Sequence, residues 1–250
     1  MSWAYWLLGN PAVAQNHSND AVRIAEELDH SFSLTLALSF SQWIHQFNRD
    51  IARTRATAEK ALSLAKEHGF AFWYGWCRVM RGWAMSQQGE HAQGIAEIEE
   101  GLVEWRAQGS ELGSHYYYAL LAEASLAAGQ LDRAATALDQ AEQFASATGE
   151  GFYLPEIPRL RGKLLLTLKP SAVAEAEVLF NRSLELARSQ DAKSLELRAA
   201  RSLARLLHSI GRTPEAKAVL TPIVNSFGGS VETYDLRDAC RLLDTLNQTP

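Results

Sequence analysis

From Phe70 to Gly109 the chain reads FAFWYGWCRVMRGWAMSQQG and then EHAQGIAEIEEGLVEWRAQG. These are two runs of about one helix each, apolar at helical spacing and polar between, and both close on glycine. A glycine just past such a run supplies the left-handed residue that ends a helix. The punctuation recurs at a fixed interval: 129 minus 89, 109 minus 69 and 149 minus 109 all give 40. The pattern predicts a repeated pair of antiparallel helices.

Taken in order, residues 1–9 read as the end of a helix, with Trp3, Tyr5, Trp6, Leu7 and Leu8 crowded before Gly9, so that the array starts in mid-repeat. A helix follows over about 11–28, with Pro11 in its first turn and Ala14, Ala21 and Ala25 on its packing side. Further helices are expected over 31–47 and 50–68, 70–88 and 90–108, and 112–128 and 131–148. Asn48 and Arg49 stand where other repeats use glycine. The fifth pair starts at Pro155 or Pro158 and ends near Leu168, then runs from Pro170 and Ser171 to about Gln190. A sixth covers 194–210 and resumes at Thr213, an N-cap followed by Pro214 and Glu215. After Gly228 and Gly229, a helix over 231–246 carries Glu232, Asp235, Arg237, Asp238, Arg241 and Asp244, which suits a terminal cap with one wet face. No strand-like alternation of useful length occurs. The expectation is an all-α, right-handed α-solenoid of antiparallel helix pairs: a single domain over 1–250, with a partial first repeat at 1–30, repeats at about 31–69, 70–109, 110–149, 150–190 and 191–227, and the capping helix.

Within the second helix of several units, small residues recur at a fixed offset: Ala134, Leu138 and Ala141; Ala176, Phe180 and Ser183; Ala216, Leu220 and Ile223. The first helices place Leu121-Ala122, Leu203-Ala204 and the Arg81-Gly82 and Arg161-Gly162 pairs where two helices would touch. The pattern resembles the tetratricopeptide repeat, with a period near 40 rather than 34 and without its usual tryptophan and closing proline. Helices about a turn longer than usual follow from that. The phrases RGWAMSQQGE, YALLAEASLAAGQLDRA and YDLRDACRLLDTL resemble the C-terminal tetratricopeptide region of bacterial signalling proteins that carry an adenylate-cyclase-like domain and an NTPase domain. The resemblance implies a sensory or scaffolding tail.

Composition narrows the partners. Twenty-four Lys and Arg against 29 Asp and Glu leave a net charge of -5, which argues against nucleic acid or an anionic membrane as the main target. Cys77 and Cys240 have no metal or disulfide spacing, no stretch is long and apolar enough to span a membrane, and the start lacks a basic signal-peptide region; a reducing cytoplasm fits. No phosphate-binding, zinc-protease, nucleophile-elbow or dinucleotide motif is present, and the seven histidines are scattered, so neither a catalytic centre nor a cofactor or metal site is expected. Cys77 reads as a small buried hydrophobe, and Glu97, Glu99 and Glu100 as solvated surface.

The candidate chemistry is recognition. In tetratricopeptide folds the first helix of each pair lines the concave face. Counting from the small contact residues puts Trp43, Trp76, Trp83 and Tyr116 towards it as an aromatic half, and Arg159, Lys163, Arg198, Arg201 and Arg205 as a basic half. Such a groove would hold a protein or peptide with apolar anchors and acidic residues. On the sequence alone the tryptophans serve also as core between helices, and the arginines as partners of Glu185, Glu196 or neighbouring acids. The expected function is a non-catalytic interaction scaffold; the alternative is a homodimer formed through the apolar stretch Trp3–Leu8.

Overall fold

A computed structural model describes residues 1–228 and 233–248, and among these every regular element is a helix. The described helices are α1 (Ser2–Leu7), α2 (Pro11–Glu27), α3 (Ser31–Phe47), α4 (Ile51–Glu67), α5 (Ala71–Gln87), α6 (His91–Ala107), α7 (Ser114–Ala127), α8 (Leu131–Thr148), α9 (Glu156–Leu168), α10 (Val173–Ser189), α11 (Lys193–Ser209), α12 (Thr213–Asn225) and α13 (Tyr234–Gln248). The fold is an all-α array of antiparallel helix pairs. Where the apolar period is clean the expected bounds agree with those seen. Prolines and short loops shift the rest: Pro155 is the N-cap of α9, α10 begins beyond Pro170 and Ser171, and left-handed Gly113 delays α7 to Ser114. The expected start of the last helix, with Gly229, Val231 and Glu232, lies outside the described residues.

The turns carry the predicted chemistry. Gly9, Gly69, Gly89, Gly109, Gly129, Gly149 and Gly211 have positive φ, and Arg49 takes the same left-handed geometry at φ 55° where glycine is missing. The small residues of the repeat pattern, Ala134, Ala141, Ala176, Ser183 and Ala216, have no exposed surface.

The chain divides into two compact units. The first comprises Met1–Trp3 and Val13–Glu150. Its tightest contact joins α5 and α6, and the cause is four helical glycines, Gly75 and Gly82 on one helix and Gly94 and Gly101 on the other. Residues seven apart fall on one face, so each helix offers two gaps to its partner. The backbones close into them: a Cβ on Gly82 would stand 2.5 Å from the Gly94 carbonyl oxygen, and one on Gly75 2.7 Å from the Trp105 nitrogen. Arg78 of α5 reinforces the seam by pairing with Glu97, Glu100 and Glu104 of α6. Glu97 also takes Arg81 at 2.6 Å. The acidic cluster is therefore only partly in water, which corrects the expectation for Glu97. Burial raises the Glu97 carboxyl, but Arg78 and Arg81 together hold it below its ordinary range.

The second unit comprises Ala4–Ala12 and the residues from Gly151 on. Its apolar core runs from Ala176, Phe180 and Leu184 through Leu203 and Leu207 to Leu220, Leu236, Leu242 and Leu246. The glycine of the Arg161-Gly162 pair has a plain use here, because a Cβ on Gly162 would meet the Phe180 ring at 2.5 Å.

Gly82→Ala is expected to destabilise the first unit at the upper end of the roughly 1–3 kcal/mol that overpacking costs, even though alanine is the better helix former. Chemical denaturation measures it; an unchanged or raised midpoint contradicts the close backbone contact.

Candidate functional site

Side chains that must leave water do so where neighbouring helices enclose them, and in the first unit the inner helices α3, α5 and α7 enclose one another. Trp43 sits at their centre, stacked on Trp3 of α1 at 3.9 Å between ring centroids and tilted against Tyr116 at 4.7 Å and Trp76 at 5.0 Å. The Tyr116 hydroxyl donates to Gln46 Oε1 at 2.8 Å, joining α7 to α3 across 70 residues of sequence. Trp83 donates its indole N–H to Glu123 at 2.9 Å, and Glu123 also holds Arg49 at 2.8 Å. Trp43, Trp76, Trp83 and Tyr116 are each 1% exposed or less. The expected aromatic half of an open groove is thus corrected. These rings form the core, because the first helices approach closely enough for the rings to pack on one another.

The same space holds polar groups that water does not reach. The Cys77 thiol accepts from Gln42 Nε2 at 3.2 Å and lies 3.4 Å from Ser39 Oγ. Burial pushes the thiol up to about 11, past the lowering by Ser39 and Gln42, which keeps it protonated near neutral pH. Burial also pushes His45 down to about 4, against a raising by Asp50, and His115 down to about 4.

The basic half is divided between core and surface. Arg159 and Arg198 are fully buried and Arg201 nearly so, whereas Lys163 and Arg205 are exposed. The Arg159 guanidinium donates to both carboxylate oxygens of Glu156, at 2.5 and 2.7 Å. Arg198 reaches Asp235 at 2.6 Å, the Tyr153 hydroxyl at 3.0 Å and Glu156 at 3.3 Å, and lies over the Trp6 ring at 5.0 Å. Arg201 takes Asp235 at 2.7 Å and Asp238 at 3.2 Å. Arg205 takes both oxygens of Asp238, at 2.8 and 2.9 Å. Burial works against the Arg198 charge, but Asp235, Tyr153 and Glu156 hold its pKa well above the ordinary value. The acidic partner expected from outside is supplied by α13. Glu185 and Glu196 pair instead with Arg182 and Arg188.

Trp6, too, is inside: it is 2% exposed, and its carbonyl accepts from Ser194 Oγ at 2.5 Å. For Trp6 this corrects the picture of an exposed apolar start over Trp3–Leu8; Leu8 is 46% exposed and Trp3, Tyr5 and Leu7 are half-buried. Among the described residues no three or more His, Cys, Asp or Glu side chains gather as a metal site would require, and no helix is long and apolar enough to cross a membrane.

Among the open spaces of the first unit is an apolar cleft of about 410 Å³ between α2 and α3. Its walls carry Ala21, Ile24, Ala25 and Leu28 from one helix and Ser33, Leu36, Ala37 and Phe40 from the other. Sequence reasoning placed Ala21 and Ala25 on a packing side but missed the cleft; the signal was that α3 has no Asp, Glu, Lys or Arg at all.

No protein-family model matches the chain, and no curated protein matches it. Among solved structures it is similar to the crystal structure of aspartyl phosphate phosphatase F from Bacillus subtilis, with a TM-score of 0.64 and 15% identity over 92% of this chain and 58% of that one. It is also similar to the crystal structure of BtubC (BKLC) from P. vanneervenii, with a TM-score of 0.59 and 15% identity over 87% of this chain and 92% of that one. The fold is tetratricopeptide-like. The chain spans less than two thirds of the phosphatase's length, and at this identity the likeness concerns fold alone.

Two expectations follow. Arg201→Glu is expected to lower the melting temperature sharply, since it buries a further carboxylate against Asp235 and Asp238 and removes one of the cations they share, at about 3–5 kcal/mol; Arg205→Glu, at an exposed pair, is expected to change it little. Equal melting of the two variants contradicts the buried network. Because His45 and His115 stay neutral in the folded protein to about pH 4 but take protons near 6.5 when unfolded, stability is full above 6.5 and falls as pH drops towards 4. Urea midpoints across that window measure the fall, and His45→Gln with His115→Gln is expected to flatten it; an equal fall in the double variant contradicts the assignment.

Proposed function

We propose that this chain is a non-catalytic scaffold that binds another protein. One observation carries the reading: a tetratricopeptide-like array that buries most of the side chains expected to recognise a partner leaves an apolar cleft between two helices open at its surface. The buried thiol and the two neutral histidines lie within the core, where they support packing rather than chemistry on a substrate. The similar structure titled as an aspartyl phosphate phosphatase belongs to a longer chain, and phosphatase activity is not carried over from it.

A finer version places the chain as the sensory or regulatory tail of a bacterial signalling protein acting in the cytoplasm. It rests on the resemblance of RGWAMSQQGE, YALLAEASLAAGQLDRA and YDLRDACRLLDTL to the tetratricopeptide region of cyclase-like and NTPase-bearing proteins. An assembly role through Trp3–Leu8 has less support, because Trp6 is occupied within its own chain.

Proximity labelling in the source cell, followed by reconstitution of the enriched protein with the purified chain, is expected to give a saturable complex. Failure of every enriched protein to form a complex contradicts the scaffold reading.

A further inference from the structure

The cleft between α2 and α3 has a defined shape. On α2, residues 21, 24, 25 and 28 follow i, i+3, i+4 and i+7; on α3, residues 33, 36, 37 and 40 do the same. Each helix therefore turns one full stripe of small and apolar side chains to the cleft. At the closed end the hydroxyl of Ser18 donates to that of Ser41 at 2.9 Å, which fixes the two helices and satisfies both groups. Towards the open end Ile24, Leu28 and Leu36 are 48%, 64% and 37% exposed, and Phe32 beside them 44%. Five of the thirteen large hydrophobics that stand exposed among the described residues fall between Val13 and Leu36, so the patch is concentrated there.

An occupant must satisfy its own backbone, since no charged side chain lines the walls and the hydroxyls of Ser18 and Ser41 are already bonded to each other. An extended peptide would bury N–H and C=O groups with nothing to meet them, whereas a helix brings its hydrogen bonds with it. The alanines at 21, 25 and 37 allow another backbone to come close. The cleft also opens at Ser2, the first residue of α1.

Charge selects which helix. Residues 1–48 contain four acids, Asp20, Glu26, Glu27 and Asp29, against one arginine, Arg23. Asp20 and Glu27 are exposed, lie four residues before and three after Ile24 at the cleft's edge, and share Arg23 at 3.6 and 2.8 Å, so that two acids stand there against one cation. We propose that this cleft takes a short amphipathic helix of a partner protein, its apolar stripe against α2 and α3 and its lysines or arginines beside Asp20 and Glu27. The inference rests on the scaffold reading and names the partner chemistry of that surface.

The test uses the whole chain and a labelled peptide of about 18 residues with leucines at i, i+3, i+4 and i+7 and lysines between, beside a twin with glutamates in place of the lysines. By fluorescence anisotropy the lysine helix is expected to bind and the glutamate twin not. Ile24→Glu with Leu36→Glu should weaken binding about tenfold or more, and Asp20→Lys with Glu27→Lys less but measurably. Val178→Glu, at an exposed site elsewhere, should leave it unchanged. Circular dichroism shows that each variant is folded. Equal binding of the two peptides, no loss in the Ile24/Leu36 variant, or self-association of the chain that this variant abolishes would overturn the proposal. Any of these can occur while a reconstituted partner still binds on another face, which separates failure here from failure of the scaffold reading.

Discussion

Backbone touches backbone between α5 and α6, and the first unit depends on that contact. Glycines at 75, 82, 94 and 101 remove the side chains that would hold the helices apart. With the pair so close, Trp76 and Trp105 on opposite helices meet edge to face at 5.4 Å, and Trp76 turns to Trp43 of α3. A thicker seam would displace α5 from α3 and α7 and open the space their aromatic rings now fill. The interior is therefore closed by geometry set outside it, at a line of missing Cβ atoms.

The two units solve the same problem with different chemistry. In the first, inner helices meet through aromatic rings, with a few amide, hydroxyl and thiol groups bonded among them. In the second, they meet through a ladder of arginines and carboxylates, Arg159 to Glu156 to Arg198 to Asp235 to Arg201 to Asp238, above an aliphatic core. Such a ladder adds little net stability over an apolar packing but penalises any arrangement that leaves a member alone. It pins α13 to α11 in one register. Both interiors use up most of the residues from which recognition of a partner was expected, and leave Lys163 and Arg205 exposed.

Much of the architecture was legible from the residues because it is encoded locally. Helical period, capping glycines forty residues apart, and triplets such as Ala134, Leu138 and Ala141 each refer to neighbours within one or two helices. The site was not legible for the opposite reason. An aromatic stripe on a first helix looks the same whether its rings line a groove or pack between helices, and what settles it here includes a contact between Tyr116 and Gln46, 70 residues apart. The arginine stripe was visible, but its partners Asp235 and Asp238 lie 33 to 37 residues on and read equally well as the wet face of a terminal helix. Two signals could have been read: the seven-residue spacing of glycines on both α5 and α6, and the absence of charge along α3.

The central claim is that the aromatic side chains form the interior and line no open groove. Tryptophan fluorescence tests it directly, since Trp6, Trp43, Trp73, Trp76, Trp83 and Trp105 are all buried and only Trp3 of the seven is half-buried. The account predicts emission like that of indole in an apolar solvent, with little quenching by acrylamide until the protein is unfolded. Emission like that of tryptophan in water, freely quenched in the native state, would contradict it.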